Sequence, residues 1–231
     1  PLTVLRIRKE HQVAVVEMGI SDFGEMHRLS KIAKPDICVM TNIGQCHLEF
    51  LIDRDGILRA KSEIFDYMNP KGVVCLNGDD DKLITVENVH GKRPVFFGKS
   101  DSCDIQAVNL ENLGLIGSKA DVVEKRMAEQ TEPYAIRLYV PGEHMVSNAL
   151  AAIAVGRALG LSKEEMVNGI AKTGSVGGRS NIIRDDTLTI IDDCYNANPV
   201  SMKSAIDLLM MANEPKCVIL GDMFELGTEE R

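Results

Sequence analysis

Short, unbroken apolar runs, set a helix length apart and closed by polar residues, constrain this chain more than any other feature. Residues 13–16 form one, closed by Glu17, Met18 and Gly19. Residues 37–40 form a second, entered through Pro35-Asp36 and left through Thr41-Asn42. Residues 73–76 form a third, entered through Pro70-Lys71-Gly72 and left through Asn77-Gly78-Asp79. A strand buried on both faces reads as such a run, so the pattern predicts an α/β fold with a mostly parallel central sheet flanked by helices. Between the second and third runs, Ile57, Ala60, Lys61, Ile64, Phe65 and Met68 recur at helical spacing, and 25–32 reads as a shorter helix.

From about residue 93 to 140 the pattern changes. Strands are expected at 95–97, 104–108, about 120–126 and 134–140, as a small antiparallel excursion at the sheet edge. A helix carrying Ala149, Ala152, Ile153 and Val155 follows, ended by Gly160. Ser162 with Glu165 forms a capping-box signature for the next helix, expected to reach about Lys172. The end returns to α/β, with a strand at 188–191, a helix at 202–211 past Pro199, and a strand at 217–220 before Gly221-Asp222. Asn213-Glu214-Pro215 reads as a linker, which divides the chain into residues 1–214 and 215–231.

Composition removes several classes of function. The net charge is −8 with no long basic run, which argues against nucleic acid or an anionic membrane as the main partner. No stretch of 18 or more residues lacks charge, so neither a membrane span nor a signal peptide is visible. The six cysteines include no C-x-x-C pair and read as reduced thiols in a reducing compartment.

Ligands of open parallel sheets bind beyond the carboxyl ends of the strands. Glu17, Thr41-Asn42, Asn77 with Asp79, Asp192-Asp193 and Asp222 all stand just beyond an expected strand, which predicts one site along one sheet edge. Glu17 and His47 could together hold Mg²⁺ or Mn²⁺, while His47 alone also fits a hydrogen-bonded loop histidine. Lys61 borders the buried stripe of its helix and leaves two readings open. Its stem covers apolar surface with the ammonium in water, or its ammonium is aimed at the strand ends. Gly177-Gly178-Arg179 is a flexible loop delivering a guanidinium, whose rigid fork suits phosphate oxygens. Gly98-Lys99-Ser100 imitates the tail of a phosphate-binding loop, but G-x-x-x-x-G-K-[ST] needs Gly where Arg93 stands, so a plain turn is expected.

Taken in order, several stretches resemble the Mur ligases. They are V-E-M-G at 16–19, T-N-I-G-Q-C-H-L-E at 41–49, R-A-K-S-E-I-F at 59–65, L-N-G-D-D at 76–80 and G-E-H-M-V-S-N-A-L-A-A at 142–152. Gly178-Arg179, I-D-D-C-Y-N-A-N-P at 191–199 and G-D-M-F-E-L-G at 221–227 complete the set. The last two point to the branch that joins D-alanyl-D-alanine to UDP-N-acetylmuramoyl-tripeptide. The resemblance implies a P-loop NTPase-like central ATP-binding domain over 1–214, lacking its P-loop segment and so inactive alone, with 215–231 opening a Rossmann-like C-terminal domain. It further implies a cytoplasmic, ATP- and Mg²⁺-dependent carboxylate–amine ligase of peptidoglycan precursor synthesis, working through an acyl phosphate.

By the same resemblance Glu17, His47 and Lys61 are metal ligands, with Lys61 carbamylated, and Lys61, Arg179 and His47 are catalytic. Asn148 lies near the adenine, Arg179 on phosphate and Asp193 on the ribose, with Tyr195 and Asn196 in the same nucleotide loop. Met145 and Cys194 depart from the usual Asn and Ser of the family. Another Mur or folylpolyglutamate-type ligase, or a non-catalytic homologue, are the alternatives to that branch.

Overall fold

The computed structural model describes residues 2–44, 51–125, 132–213 and 215–223. It divides into two compact units, Pro1–Phe96 and Phe97–Arg231, the division falling inside one strand.

In the first unit, α1 (Glu25–Ala33) leads into β1 (Ile37–Met40), and α2 (Arg54–Ser62) runs through a 3₁₀ turn (Glu63–Tyr67) toward β2 (Val73–Asn77). The two strands pair in parallel with Ile37 opposite Val73 and Met40 opposite Leu76. In β2 the consecutive Val74, Cys75 and Leu76 are buried, and in β1 Cys38 and Met40 are buried with Ile37 and Val39 half-buried, so both runs are apolar. Both helices are capped from outside their own turns or by their first residue. The Glu63 carboxylate accepts Gly24 N–H at 2.9 Å and His27 N–H at 3.2 Å, satisfying the start of α1. Asp53 accepts Gly56 N–H at 2.7 Å and starts α2. The unit closes with the first half of β3 (Val95–Gly98).

In the second unit β3 pairs in parallel with β4 (Ile105–Asn112), and β4, β5 (Ser118–Glu124) and β6 (Tyr134–Leu138) run antiparallel. The antiparallel excursion is thus present, with strand bounds shifted by a few residues. The expected end of β5 at Arg126 lies outside the described residues. Helix α3 (His144–Ala158) packs on β4 and β5, and α4 (Lys163–Ala171) packs on β6 and α3. The Ser162–Glu165 capping box is formed. A two-stranded ribbon of β7 (Asn181–Arg184) and β8 (Thr189–Asp192) precedes α5 (Pro199–Met210). Asn198 caps α5 through Ser201 N–H, with Pro199 in the first turn where it forfeits no bond.

Two expected strands are absent. Residues 13–16 and 217–220 have no regular structure, and Val15 is 89% and Ile219 95% exposed. A β-branched run becomes a strand only where a neighbour takes its N–H and C=O groups, and no described strand pairs with either. Strand β7, conversely, was not expected. It is a half-exposed ribbon strand with no buried face to leave an apolar pattern.

Burial separates the cysteines by reactivity. It pushes the Cys38 and Cys75 thiols up to about 12, whereas Cys194 and Cys217 are exposed. Iodoacetamide at neutral pH is expected to label Cys217 faster than Cys194, because Asp192 raises the Cys194 thiol. Cys38 and Cys75 should react only after denaturant is added, as read by mass spectrometry. Since their folded pKa lies above the unfolded value of 9.0, folding stability should decline as pH rises past that value.

Candidate functional site

Parallel pairing in register sets the exits of β1 and β2 side by side, and side chains clamp the loop leaving β1 at Thr41 O, Asn42 O and both backbone groups of Ile43. Asn77 Nδ2 donates to Thr41 O at 2.9 Å and Lys61 Nζ to Asn42 O at 3.1 Å. Ile43 N–H donates to Asp80 Oδ2 at 2.8 Å, and Arg54 Nε donates to Ile43 O at 2.9 Å. Asp80, with a side chain only 8% exposed, also accepts Lys82 N–H and Leu83 N–H at 3.0 Å each. Arg54 forks onto Asp81 at 2.9 and 2.6 Å, which raises the guanidinium pKa and lowers that of Asp81.

Lys61 thus combines both readings. It is half-buried beside fully buried Ala60, and its ammonium reaches the β1 exit. Asn77, expected at the site, serves as a brace between strand ends, while Arg54 went unmarked in the sequence and Asp80 stood there only as the last residue of the L-N-G-D-D stretch. Their shared partner in the β1 loop, Ile43, lies 11 and 37 positions away, so no local spacing announces the clamp. Glu17 is an exposed carboxylate in an irregular segment. His47 lies outside the described residues, as do the rest of 45–49, Glu214 of the linker and 224–227.

In the second unit the loops after β8 and before β7 interlock. Gly178 N–H donates to Asp192 Oδ2 at 2.9 Å and Ser180 N–H to Asp193 Oδ1 at 2.8 Å. Tyr195 N–H returns to Gly178 O at 2.9 Å. Gly178 has φ +75°, and a Cβ there would meet Tyr195 Cβ at 3.3 Å, so the turn selects glycine. Between these anchors the Arg179 guanidinium stacks on the exposed Tyr195 ring, 4.1 Å from its centroid. Arg179 is exposed, and the rigid fork of its guanidinium suits phosphate oxygens. Asp192, with hydrogen bonds from Cys194 and Gly178, is held below the usual carboxylate range.

His144, the first residue of α3, lays its ring over Gly142, whose φ of +108° and lack of Cβ make room for it. Desolvation of its ring lowers the His144 pKa, and the charge of Asp193 opposes that shift, so the α3 start and the β8 loop share one electrostatic environment. Asn148 stands exposed one turn further, its amide 3.6 Å from Met145 Sδ. Asn196 folds its side-chain oxygen onto Ala197 N–H at 2.8 Å, a local turn contact.

The expectation of one site edge shared by five strand ends needs correction. Only the ends of β1 and β2 belong to paired parallel strands among those named, Asp192-Asp193 close a separate two-stranded sheet, and Glu17 and Asp222 follow no strand. Lys99 behaves as expected of a turn residue, its Nζ 2.8 Å from Glu143 Oε1.

Residues 1–156 match the Mur ligase middle domain. The chain belongs to the Mur ligase family. Its similarity within the family is to UDP-N-acetylmuramoyl-tripeptide–D-alanyl-D-alanine ligases. The Bacillus subtilis protein is 35% identical over 240 residues, covering 100% of this chain and 49% of the relative. The Escherichia coli protein is 30% identical over 232 residues, covering 99% and 50%. Among solved Mur ligases, MurF from Acinetobacter baumannii superposes with a TM-score of 0.88 at 36% identity, covering 98% of this chain and 49% of that one. MurF from Thermotoga maritima, in complex with ADP, gives 0.77 at 26%, covering 91% and 47%. The chain therefore spans about half the length of the curated relatives it matches.

Proposed function

We propose that this chain supplies the nucleotide-using part of a ligase that joins D-alanyl-D-alanine to UDP-N-acetylmuramoyl-tripeptide, in the cytoplasmic stage of peptidoglycan precursor synthesis. The observation that carries the reading is full coverage of the chain by ligases of that specificity, with the interlocked loops of Arg179 and Asp193 formed. In this reading residues 1–214 are the central ATP-binding domain and 215–231 the opening of the C-terminal one.

A carboxylate is a poor electrophile, and phosphorylation by ATP gives it a leaving group. The dipeptide amine then attacks the acyl carbon and phosphate departs. The ADP held by the Thermotoga relative supports nucleotide use here. Arg179, held over the Tyr195 ring, meets the phosphate charge that grows during transfer. One carboxylate oxygen of Asp193 is engaged by Ser180 N–H, so the other is assigned to the ribose hydroxyls. Asn148, exposed on α3, is assigned to the adenine, with Tyr195 and Asn196 beside the nucleotide.

Among the described residues no three His, Cys, Asp or Glu side chains gather around one point. Mg²⁺ does not require such a cage, since one or two carboxylates with phosphate oxygens and water complete its shell. The exposed Glu17 carboxylate fits that donor set, and His47 is the second candidate. When bound, the ion offsets charge on the transferring phosphoryl group. The finer proposal is that Lys61 works as a carbamate. A carbamylated Nζ keeps one N–H, so the bond to Asn42 O can persist in the anionic form.

The test is acceptor dependence. ADP and phosphate should form in the full-length protein only when UDP-N-acetylmuramoyl-tripeptide and D-alanyl-D-alanine are both present, while this chain alone, without a G-x-x-x-x-G-K-[ST] loop, should show no turnover. Equal turnover with the UDP-N-acetylmuramoyl-dipeptide or folate would transfer the assignment to another ligase branch. No turnover with any acceptor would favour a non-catalytic homologue.

A further inference from the structure

We infer that Arg54 and Asp80 are positioning residues for Lys61, acting through the backbone of the loop that leaves β1. The inference rests on the reading of Lys61 as a working group of the ligase. The Lys61 ammonium donates to Asn42 O at 3.1 Å, the carbonyl of the peptide that also carries Ile43 N–H, and Ile43 is held at both of its backbone groups. Asp80 takes Ile43 N–H at 2.8 Å, and Arg54 Nε holds Ile43 O at 2.9 Å. Ile43 is 1% exposed, so its side chain pins the same peptide into the core.

Asp80 is rigid for a reason independent of Lys61. Its other oxygen accepts Lys82 N–H and Leu83 N–H at 3.0 Å, fixing it to the turn after β2. Arg54 is fixed by its fork onto Asp81 and lies 3.8 Å from Asp80 Oδ2. The β2 exit thereby holds the β1 exit, and the β1 exit holds the lysine. A long, flexible side chain such as lysine otherwise samples many rotamers, and a catalytic group displaced by about 1 Å loses on the order of a hundredfold in rate. The clamp removes that freedom at the carbonyl rather than at the lysine itself.

Arg54→Ala tests the idea, because Asp80 keeps its turn contacts and the fold should survive. In the full-length ligase kcat should fall about tenfold, one charge-assisted hydrogen bond's worth, with KM for ATP little changed. Amide exchange at Ile43 should accelerate while Cys75 in β2 keeps its protection. In a Lys61→Ala background, Arg54→Ala should lower kcat no further, since the two act in series. Arg54→Lys, which keeps the cation but not the fork, should recover only part of the loss.

Independent, additive losses from Arg54→Ala and Lys61→Ala would overturn the inference, as would an Ile43 amide that exchanges at the original rate in folded Arg54→Ala. If Arg54→Ala fails to fold, the same exchange and cycle measurements on Arg54→Lys decide it. Full kcat in Lys61→Ala would sink the proposed role of Lys61 instead. Ile43 exchange needs no turnover, so it reads the clamp even if the ligase reading fails.

Discussion

Arg157→Ala is expected to destabilise the second unit by about 3 kcal/mol, read as a lowered urea midpoint at unchanged slope. Glu124 on β5 has a side chain with no solvent exposure, and Arg157 on α3 meets it with Nε at 2.8 Å and Nη2 at 2.8 Å. Tyr134 on β6 donates its hydroxyl to the same carboxylate at 2.7 Å. Removing the guanidinium strands a buried negative charge, which is the costly case. The lower end of the usual range applies because the Arg157 side chain is still 17% exposed.

The double change Glu124→Met with Arg157→Met should lie nearer the parent than Arg157→Ala, since an apolar pair leaves no orphaned charge. A double variant less stable than Arg157→Ala would show that the pair contributes net stability in itself. The same cluster sets an alkaline limit. Burial, then the bond to Glu124, raises the Tyr134 pKa above the ordinary 10.0, so the folded unit favours the neutral phenol. That contribution is complete below the unfolded value and is lost as pH climbs past about 10. Tyr134→Phe should flatten the alkaline decline, and an unchanged pH profile in that variant would exclude the phenol as its source.

Lys61→Arg in the full-length ligase is expected to remove most activity while leaving the fold intact. The position is only half-buried, and an arginine stem can cover the same edge of α2. A guanidinium stays positive and cannot add CO₂, whereas a neutral lysine amine can become an anionic carbamate. Lys61→Ala should lose activity as well, and added short-chain carboxylates should restore part of it by entering the vacated anionic position. Full kcat in Lys61→Arg under CO₂-depleted conditions would end the carbamate role. ADP and phosphate release together with thermal melting separates that outcome from misfolding.

Strands β1 and β2 were legible nearly to the residue because parallel strands with both faces at least partly covered carry apolar residues throughout. The Ser162–Glu165 cap was legible because all its partners lie within one helical turn. Motif order carried the family, and with it Arg179 and Asp193, which the second unit brings into one interlocked pair of loops. Residues 13–16 and 217–220 show where a local pattern stops being informative. They have the composition of strands, but a strand is completed only by a neighbour's backbone, and propensity cannot supply one.

What the sequence determined by itself is therefore whatever depends on local periodicity: the α/β class, the buried strands, the helix starts and the ordered motifs. What the tertiary structure decided is whatever depends on partners distant along the chain. Arg54 and Asp80 look like surface charges until the β1 loop folds between them, and Glu124 looks like a solvated strand residue until Arg157, 33 positions later, arrives above it. A charge is inexpensive in water and costly in a core, so only its folded neighbours determine whether it is decoration or a joint.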